Sequence, residues 1–406
     1  MQNFIRGCLT ALAVGVIVIV FFAVGFLGNA YRSGAVTPAY ATRAEGLDSI
    51  AAPPANFDVF FETLGLLNQD FYGDLPEGEE VPYAAIRGVL SQLNDPNTIF
   101  VEPVAHEREQ EQFQGEFGGI GAQVELNEEG QVVIVAPIAD TPADRADLRP
   151  NDIILEANET VLTGMTINEA VEFIRGPVGT EVTLLIQRPD EEESFSLTLV
   201  REKIPDPTVH STMVEGTNIG YIRMSFFSAR TTEELRTALT DLKAEGAEKF
   251  ILDLRNNPGG LLDSAIGTAS LFIGDGVIAY QQRNDGTRQA LEARGDPIAP
   301  DEPLLVLINE GSASASEILA GALQAEGRAT LVGSKSYGKG TVQIPFTLSD
   351  GSSLHVTIAH WLTPDGIDLS SEGLTPEEAI EITEEQQAAG QDPVFERAIE
   401  LLKETN

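Results

Sequence analysis

The chain has 406 residues, which is long for one hydrophobic core and predicts two or three domains. Its net charge of −38 excludes nucleic acid and anionic membrane surfaces as electrostatic partners, because both would repel it. At 42% hydrophobic and 22% charged residues, the composition is that of a globular protein. Cys8 is the only cysteine and the four histidines are scattered along the chain, so we expect no disulfide, no metal and no cofactor.

The N-terminal stretch predicts a single-pass membrane anchor. An uncharged apolar run extends from Gly7 to about Ala30, long enough to span the hydrocarbon layer as a helix. We assign residues 1–32 to this anchor and the Ala/Pro/Ser-rich residues 33–55 to a linker. A secretory signal usually has a shorter apolar core, although Ala39-Tyr40-Ala41 leaves cleavage open. Both alternatives place the body of the chain outside the cytoplasm, in the periplasm or at the cell exterior.

Residues 56–103 predict an N-terminal helical segment. Apolar side chains at helical spacing form one face of its first helix. They are Phe57, Phe60, Phe61, Leu64 and Leu67. A loop rich in Gly, Pro and Glu follows, and a second helix is expected from about Tyr83 to Leu93.

Residues 204–375 predict an α/β core, because strand-like apolar runs alternate with helical patterns. Two of these runs, Lys249–Asp253 and Leu304–Ile308, read as buried strands. The remaining residues, 376–406, predict a helical tail, with Thr375-Pro-Glu-Glu378 typical of a helix start.

A serine-rich turn follows the second of these strands. Ser314 lies between Ser312 and Ser316, where the strand gives way to a helical pattern. Backbone N–H groups are unpaired at a helix start and favour negative charge, so a nucleophile there has an oxyanion site beside it. Ser314 and Glu317 also fit a capping box, which needs no catalytic role.

A lysine between two glycines comes next, at Gly338-Lys339-Gly340. If residues 339–344 form a strand, Lys339, Thr341 and Gln343 share one face. Serine needs a base, and lysine is the candidate because no histidine lies in a convincing motif. Lys339 must be neutral to act, and burial can lower its pKa by several units from about 10.4. Gln343 could orient the amine by a hydrogen bond without adding charge.

Three sequence blocks resemble the carboxyl-terminal processing peptidases, also called tail-specific proteases. The blocks are Asp253-Leu-Arg-Asn-Asn-Pro-Gly-Gly260, Gly311-Ser-Ala-Ser-Ala-Ser-Glu317 and Tyr337-Gly-Lys-Gly-Thr-Val-Gln343, in the family's order and spacing. The resemblance implies an α/β, crotonase-like ββα protease core with an inserted PDZ domain. It also implies a serine protease with Ser314 and Lys339 as its catalytic dyad. Gly260 and Ala315 resemble the family's oxyanion-hole donors.

Residues 104–203 resemble the PDZ domain of these proteases. Their glycine loop resembles a carboxylate-binding loop, whose N–H groups hold a chain-terminal carboxylate while the peptide adds as a strand. The loop consists of Phe117, Gly118, Gly119, Ile120 and Gly121. Arg175, at the end of a predicted helix, resembles a position that couples peptide binding to the active site. An arginine at a helix end also suits the helix dipole.

The sequence therefore predicts a membrane-anchored serine endopeptidase that recognises the C-terminal tails of proteins and works without ATP. Lys335 is a rival base, and a triad of Ser314, His360 and Asp253 stays open. Two readings from other classes are a PDZ adaptor with a dead protease domain and a crotonase-fold thioesterase or hydratase. The expected partners are proteins or peptides with free C-termini, and the formation of homo-oligomers is left open.

Overall fold

The structure, a computed structural model, describes residues 57–76, 78–189 and 191–404. The predicted anchor at 1–32 and the linker at 33–55 lie outside these residues. Among the helices that are described, none is both long enough and apolar enough to cross a membrane.

The first described element is helix α1 (Asp58–Asp70), in which no side chain is buried. Helix α2 (Glu80–Leu90) starts and ends three residues earlier than the sequence predicts, since Pro82 is tolerated in a first helical turn. Strand β1 (Ile99–Val101) and helix α3 (Pro103–Gln114) follow. The sequence did not predict β1, because three residues are too short for an alternating pattern.

Residues 116–205 contain a small antiparallel sheet and two helices. In chain order the elements are β2 (Glu116–Gly119), β3 (Ala122–Leu126), β4 (Val132–Pro137), α4 (Pro142–Arg145), β5 (Ile153–Ala157), β6 (Thr160–Val161), α5 (Ile167–Ile174), β7 (Glu181–Gln187), β8 (Phe195–Val200) and β9 (Glu202–Pro205). The sheet order is β3-β4-β5-β7-β8, so β3 is an edge strand. Strands β2 and β9 form a separate ribbon, in which Glu116 pairs with Pro205. The chain therefore enters and leaves this region through neighbouring strands.

The remaining chain alternates strands and helices. In chain order they are β10 (Val209–Met213), β11 (Ile219–Met224), α6 (Thr231–Ala244), β12 (Lys249–Asp253), α7 (Leu262–Ala269), β13 (Val277–Gln282), β14 (Arg288–Glu292), β15 (Leu304–Ile308), α8 (Ala315–Ala325), β16 (Thr330–Gly333), β17 (Thr341–Thr347), β18 (Ser353–Leu362), α9 (Leu369–Glu372), β19 (Glu378–Ala379), α10 (Glu384–Ala388) and α11 (Pro393–Glu404). The main sheet has the order β10-β11-β12-β15-β16-β19, and every pair except β10–β11 is parallel.

Helices cover both faces of this main sheet. Side chains of β12 and β15 alternate between the two faces, so Phe250 and Val306 pack with α6, α7 and α8, whereas Ile251 and Leu307 pack with α11. Burial on both faces explains why β15 is apolar at all five positions. Because β12 and β15 are parallel neighbours, the loops after them leave the sheet at the same edge.

A second sheet has the order β1-β18-β13-β14, and β17 also pairs with β18. Strand β1 joins it through the register of Phe100 with Leu354, so the N-terminal segment supplies a strand to the core. The helix start predicted at Thr375 is wrong. Glu378 and Ala379 instead form a short strand beside β16, because Glu377 bonds the Leu331 N–H at the sheet edge.

Candidate active site

Ser314 lies on a strained turn between β15 and α8. Its backbone has φ 54° and ψ −112°, a conformation that favours glycine over serine. Turns of this kind expose a nucleophilic side chain where a strand gives way to a helix. The strain sits at the residue that the sequence predicts as the nucleophile.

The loop after β12 packs directly against this turn. Ser312 Oγ donates to the Leu254 carbonyl and Ser316 Oγ donates to the Asn257 carbonyl, each at 2.8 Å. The Ala313 N–H also donates to the Asn257 carbonyl, at 3.0 Å. Ser312 and Ser316 therefore fasten the two loops together and leave Ser314 Oγ free of that role.

The glycines of the first loop bring an N–H group towards Ser314. A Cβ on Gly259 would lie 2.8 Å from Ser314 Cβ and 2.9 Å from the Ala315 nitrogen, so only glycine fits there. Gly260 has φ 142°, and its neighbours bond Phe227 on either side. Among the described residues, the N–H groups of Gly260 and Ala315 have no acceptor. Both are therefore free to bind an oxyanion.

Glu317 joins the Ser314 turn to the segment that contains Lys339. Its buried carboxylate accepts four hydrogen bonds of 2.6–2.9 Å, which come from the Ser314 N–H, the Ser336 hydroxyl, the Gly338 N–H and the Lys339 N–H. Glu317 Oε2 accepts hydrogen bonds from the backbone N–H groups of both Ser314 and Lys339. The sequence predicts a capping box formed by Ser314 and Glu317. The hydrogen bond from the Ser314 N–H to the Glu317 carboxylate is one of the two bonds of such a box. Its bonds to the lysine segment were not foreseen, because nothing local signals them.

The amine of Lys339 is in an environment that favours a base. The side chain is half-buried, and this desolvation lowers its pKa from the usual lysine value. The carboxylates of Glu109 and Glu317 act in the opposite direction without reversing the shift. No described residue accepts a hydrogen bond from the amine, so it is unengaged in this structure.

Gln343 lies on β17, but its side chain does not make the predicted hydrogen bond to the Lys339 amine. Its Nε2 donates to the Asn97 carbonyl, in the segment that precedes β1. A register shift between Val342 and Gln343 breaks the alternation that would put Gln343 and Lys339 on one face. Asn97 was not predicted, since 246 residues separate it from Gln343.

The rival catalytic groups lie in less suitable places. Lys335 is exposed to solvent. The Nδ1 atom of His360 lies 2.6 Å from Ser370 Oγ. Asp253 is buried and binds Arg255 and the Tyr221 hydroxyl. These contacts give Asp253 a structural role beside the loop and leave it no histidine partner.

Of the five residues predicted to form a carboxylate-binding loop, Phe117, Gly118 and Gly119 belong to strand β2, and only Ile120 and Gly121 lie in the turn before the edge strand β3. The Ile120 and Gly121 N–H groups have no acceptor among the described residues, although both residues are buried. The Gly118 N–H instead donates to Glu111 at 3.0 Å. Arg175 lies at the end of α5, and its guanidinium carbon is 3.6 Å from the centre of the Phe117 ring. The arginine therefore stacks on the loop that the sequence assigns to the substrate tail.

Comparison with known proteins defines the class. Residues 218–380 match Peptidase family S41 and residues 133–188 match the PDZ domain. The carboxyl-terminal-processing protease of Synechocystis sp. is 39% identical over 83% of this chain and 80% of its own length. The carboxy-terminal processing protease CtpA of Bacillus subtilis is 36% identical over 83% and 72%. A solved photosystem II D1 C-terminal processing protease is 29% identical over 78% and 86%, with a TM-score of 0.45.

The mixed α/β core and its PDZ domain define a serine peptidase of family S41. The chain belongs to the carboxyl-terminal processing proteases.

Proposed function

We propose that the chain is an endopeptidase in which Ser314 is the nucleophile and Lys339 is its general base. The observation that carries this proposal is the Glu317 carboxylate, which binds the backbone of both residues. The strained turn at Ser314 and the desolvated amine of Lys339 support the two roles. Intact catalytic residues argue against an adaptor with a dead protease domain, and a PDZ domain has no role in a thioesterase or hydratase.

In the proposed reaction, the neutral Lys339 amine takes the proton of Ser314 Oγ as this oxygen attacks the scissile carbonyl. The N–H groups of Gly260 and Ala315 bind the resulting oxyanion. The Lys339 ammonium then protonates the leaving amine, and an acyl-enzyme on Ser314 remains. Water hydrolyses this ester with Lys339 as base again. Only water is consumed, so ATP has no step. Gln343 would have to leave Asn97 to orient the amine.

The dyad is tested with Ser314→Ala and Lys339→Ala in the full chain, with an unstructured protein as substrate and mass measurement of the products. Each change should lower kcat/KM by at least about 1000-fold, because the two groups act as a unit. Lys335→Ala and His360→Ala are matched controls and should keep most of the activity. Full activity in Lys339→Ala would exclude the lysine as base.

We also infer that the PDZ domain reads the free C-terminus of the substrate. The unpaired N–H groups of Ile120 and Gly121 suit a carboxylate, and the peptide can add to the edge strand β3. Two matched peptides with apolar C-terminal residues, one free and one amidated, test this. Amidation removes charge-assisted hydrogen bonds of about 1.5–3 kcal/mol, so kcat/KM should fall by about ten-fold or more. Equal cleavage of both peptides would exclude tail recognition.

We also propose that the N-terminal stretch anchors the chain in a membrane and that the protease core is crotonase-like. The apolar run at 7–30 supports a membrane anchor, so the full chain should fractionate with membranes and resist salt extraction. A soluble mature form that begins near Thr42 would instead show a cleaved signal. The alternation of strands and helices in the core supports the crotonase-like relationship.

A further inference from the structure

Three side chains of metal-ligand type converge between α3 and β18. His106 and Glu109 lie one turn apart on α3, and His355 lies on β18. Their ligand atoms all lie within 4.8 Å of one another. His106 and His355 are far apart in the sequence, and only the fold brings them together. The fold joins α3 to the second sheet, which no local spacing could reveal.

The atoms that converge are buried and lack hydrogen-bond partners. His106 is 5% exposed and His355 is 7% exposed. His106 Nδ1, Glu109 Oε2 and His355 Nε2 each lack a hydrogen-bond partner among the described residues. His355 Nε2 lies 3.0 Å from Glu109 Oε2, which is close enough for an ion pair but not aligned as a hydrogen bond. Buried polar atoms that remain unpaired need an explanation, and a ligand between them is one.

The spacing of these atoms matches a transition-metal site. Zn²⁺ takes histidine nitrogen and carboxylate oxygen at about 2.0–2.2 Å in a tetrahedron, so its ligand atoms lie about 3.3–3.6 Å apart. Glu109 Oε2 lies 3.0 Å from His355 Nε2 and 3.6 Å from His106 Nδ1, which brackets that range. Small side-chain movements would give all three the same distance from one ion.

The other nitrogen of His106 is held as in a metal-ligating histidine. His106 Nε2 lies 3.1 Å from Thr347 Oγ1. If Nε2 carries the proton, it donates a hydrogen bond to this hydroxyl, and Nδ1 is free to bind a metal. The Gln110 amide lies 2.8 Å from the same nitrogen. With its oxygen turned inward, this amide is a second acceptor, since amide orientation follows from the hydrogen-bond network.

We propose that His106 Nδ1, Glu109 Oε2 and His355 Nε2 bind one divalent transition-metal ion, with Zn²⁺ as the preferred ion. Three protein ligands leave a fourth position for water. The ion would connect α3, the helix that leads into the β2–β9 ribbon, to β18. The proposal gives the ion no step in peptide-bond hydrolysis, although its ligand Glu109 also acts on the pKa of Lys339.

The test uses the full chain, stripped with a chelator and titrated with Zn²⁺ against a chelating dye. Wild type should bind one equivalent of Zn²⁺. The affinity for Zn²⁺ should fall by at least about 100-fold in Glu109→Gln and in His355→Gln. His210→Gln removes an exposed histidine and is the matched control, which should bind as wild type does. Wild type loaded with Co²⁺ should also show the visible absorption of a four-coordinate ion.

A further variant guards against loss of folding in the ligand variants. Thr347→Val changes an exposed residue outside the ligand set and should weaken binding by about ten-fold while the melting temperature of the metal-free chain stays the same. Failure of wild type to bind stoichiometric Zn²⁺ would overturn the proposal. So would an equal affinity of the Glu109→Gln, His355→Gln and His210→Gln variants, which would leave Glu109 and His355 as an ion pair only.

Discussion

At the scale of single residues, backbone strain falls on Ser314, the proposed nucleophile. A non-glycine residue at φ 54° and ψ −112° costs on the order of 1–3 kcal/mol, and the hydrogen bonds of Glu317 and the neighbouring loop hold it there. The backbone at this position therefore stores energy that only the intact site can maintain.

Replacement of Ser314 should reveal this strain. Ser314→Gly and Ser314→Ala both remove the hydroxyl, but only glycine adopts the turn without a penalty. After the greater chain entropy of unfolded glycine is allowed for, Ser314→Gly should be more stable than Ser314→Ala by about 1 kcal/mol. Urea unfolding of both variants measures the difference. If Ser314→Ala proves equally stable, the turn is not strained.

The pKa of Lys339 gives a second prediction at this scale. Burial lowers that pKa, so the fraction of neutral amine at a given pH is larger than for an exposed lysine. Activity should fall as pH drops through this pKa, because protonation removes the base, and should rise to a plateau above it. The measurement is kcat/KM against pH. A rate that stays constant across the acid side would contradict the role of the lysine.

At the scale of elements, strand β1 connects the N-terminal segment to the second sheet. Phe100 is 9% exposed, and its ring lies 4.7 Å from the Tyr83 ring of α2. The same segment presents the Asn97 carbonyl to Gln343. The position of Gln343 therefore depends on how firmly β1 is attached.

Phe100→Ala should loosen this attachment. Removal of a buried phenylalanine ring costs about 3–5 kcal/mol, and here the loss falls on the pairing of β1 with β18. Hydrogen exchange of residues 97–101 should become faster. The value of kcat should also change, because the hydrogen bond from Gln343 to the Asn97 carbonyl is weakened. Val104→Ala alters a largely exposed side chain a few residues away and serves as the control. Unchanged exchange in Phe100→Ala would show that β1 is held by other contacts.

Local sequence determined the elements that could be predicted. Lys249–Asp253 and Leu304–Ile308 are strands as expected, because continuous apolar runs suit a sheet covered on both faces. Ser314 and Lys339 could be proposed from the sequence because each lies within a short motif. The bond of Glu317 to the lysine segment and that of Gln343 to Asn97 were not, since both join parts of the chain that only the fold brings together.

At the scale of the whole molecule, charge is the dominant long-range term. The chain carries 63 acidic and 25 basic residues. Ion pairs at the surface contribute little each, so repulsion between the excess acidic groups outweighs their attraction. Salt screens both the repulsion and the attraction. Because the repulsion is larger, added salt should stabilise the folded chain.

The melting temperature should accordingly rise as NaCl is raised from about 0.05 M to about 0.5 M, over which the screening length falls well below 10 Å. The same titration with sucrose is the control. Sucrose stabilises folded proteins because it is excluded from their surface, but it carries no charge and does not screen electrostatic repulsion. A melting temperature that falls with NaCl would mean that the ion pairs dominate.

The bond between Glu317 and position 339 has an evolutionary consequence. Glu317 holds the backbone N–H of Lys339, and the amine itself bonds no described residue. Mutation of the Lys339 side chain would therefore remove the proposed base and leave the four hydrogen bonds of Glu317 intact. Selection for folding alone would not act against such a change. Under the proposed function, a descendant that binds C-terminal tails without cleaving them is therefore one substitution away.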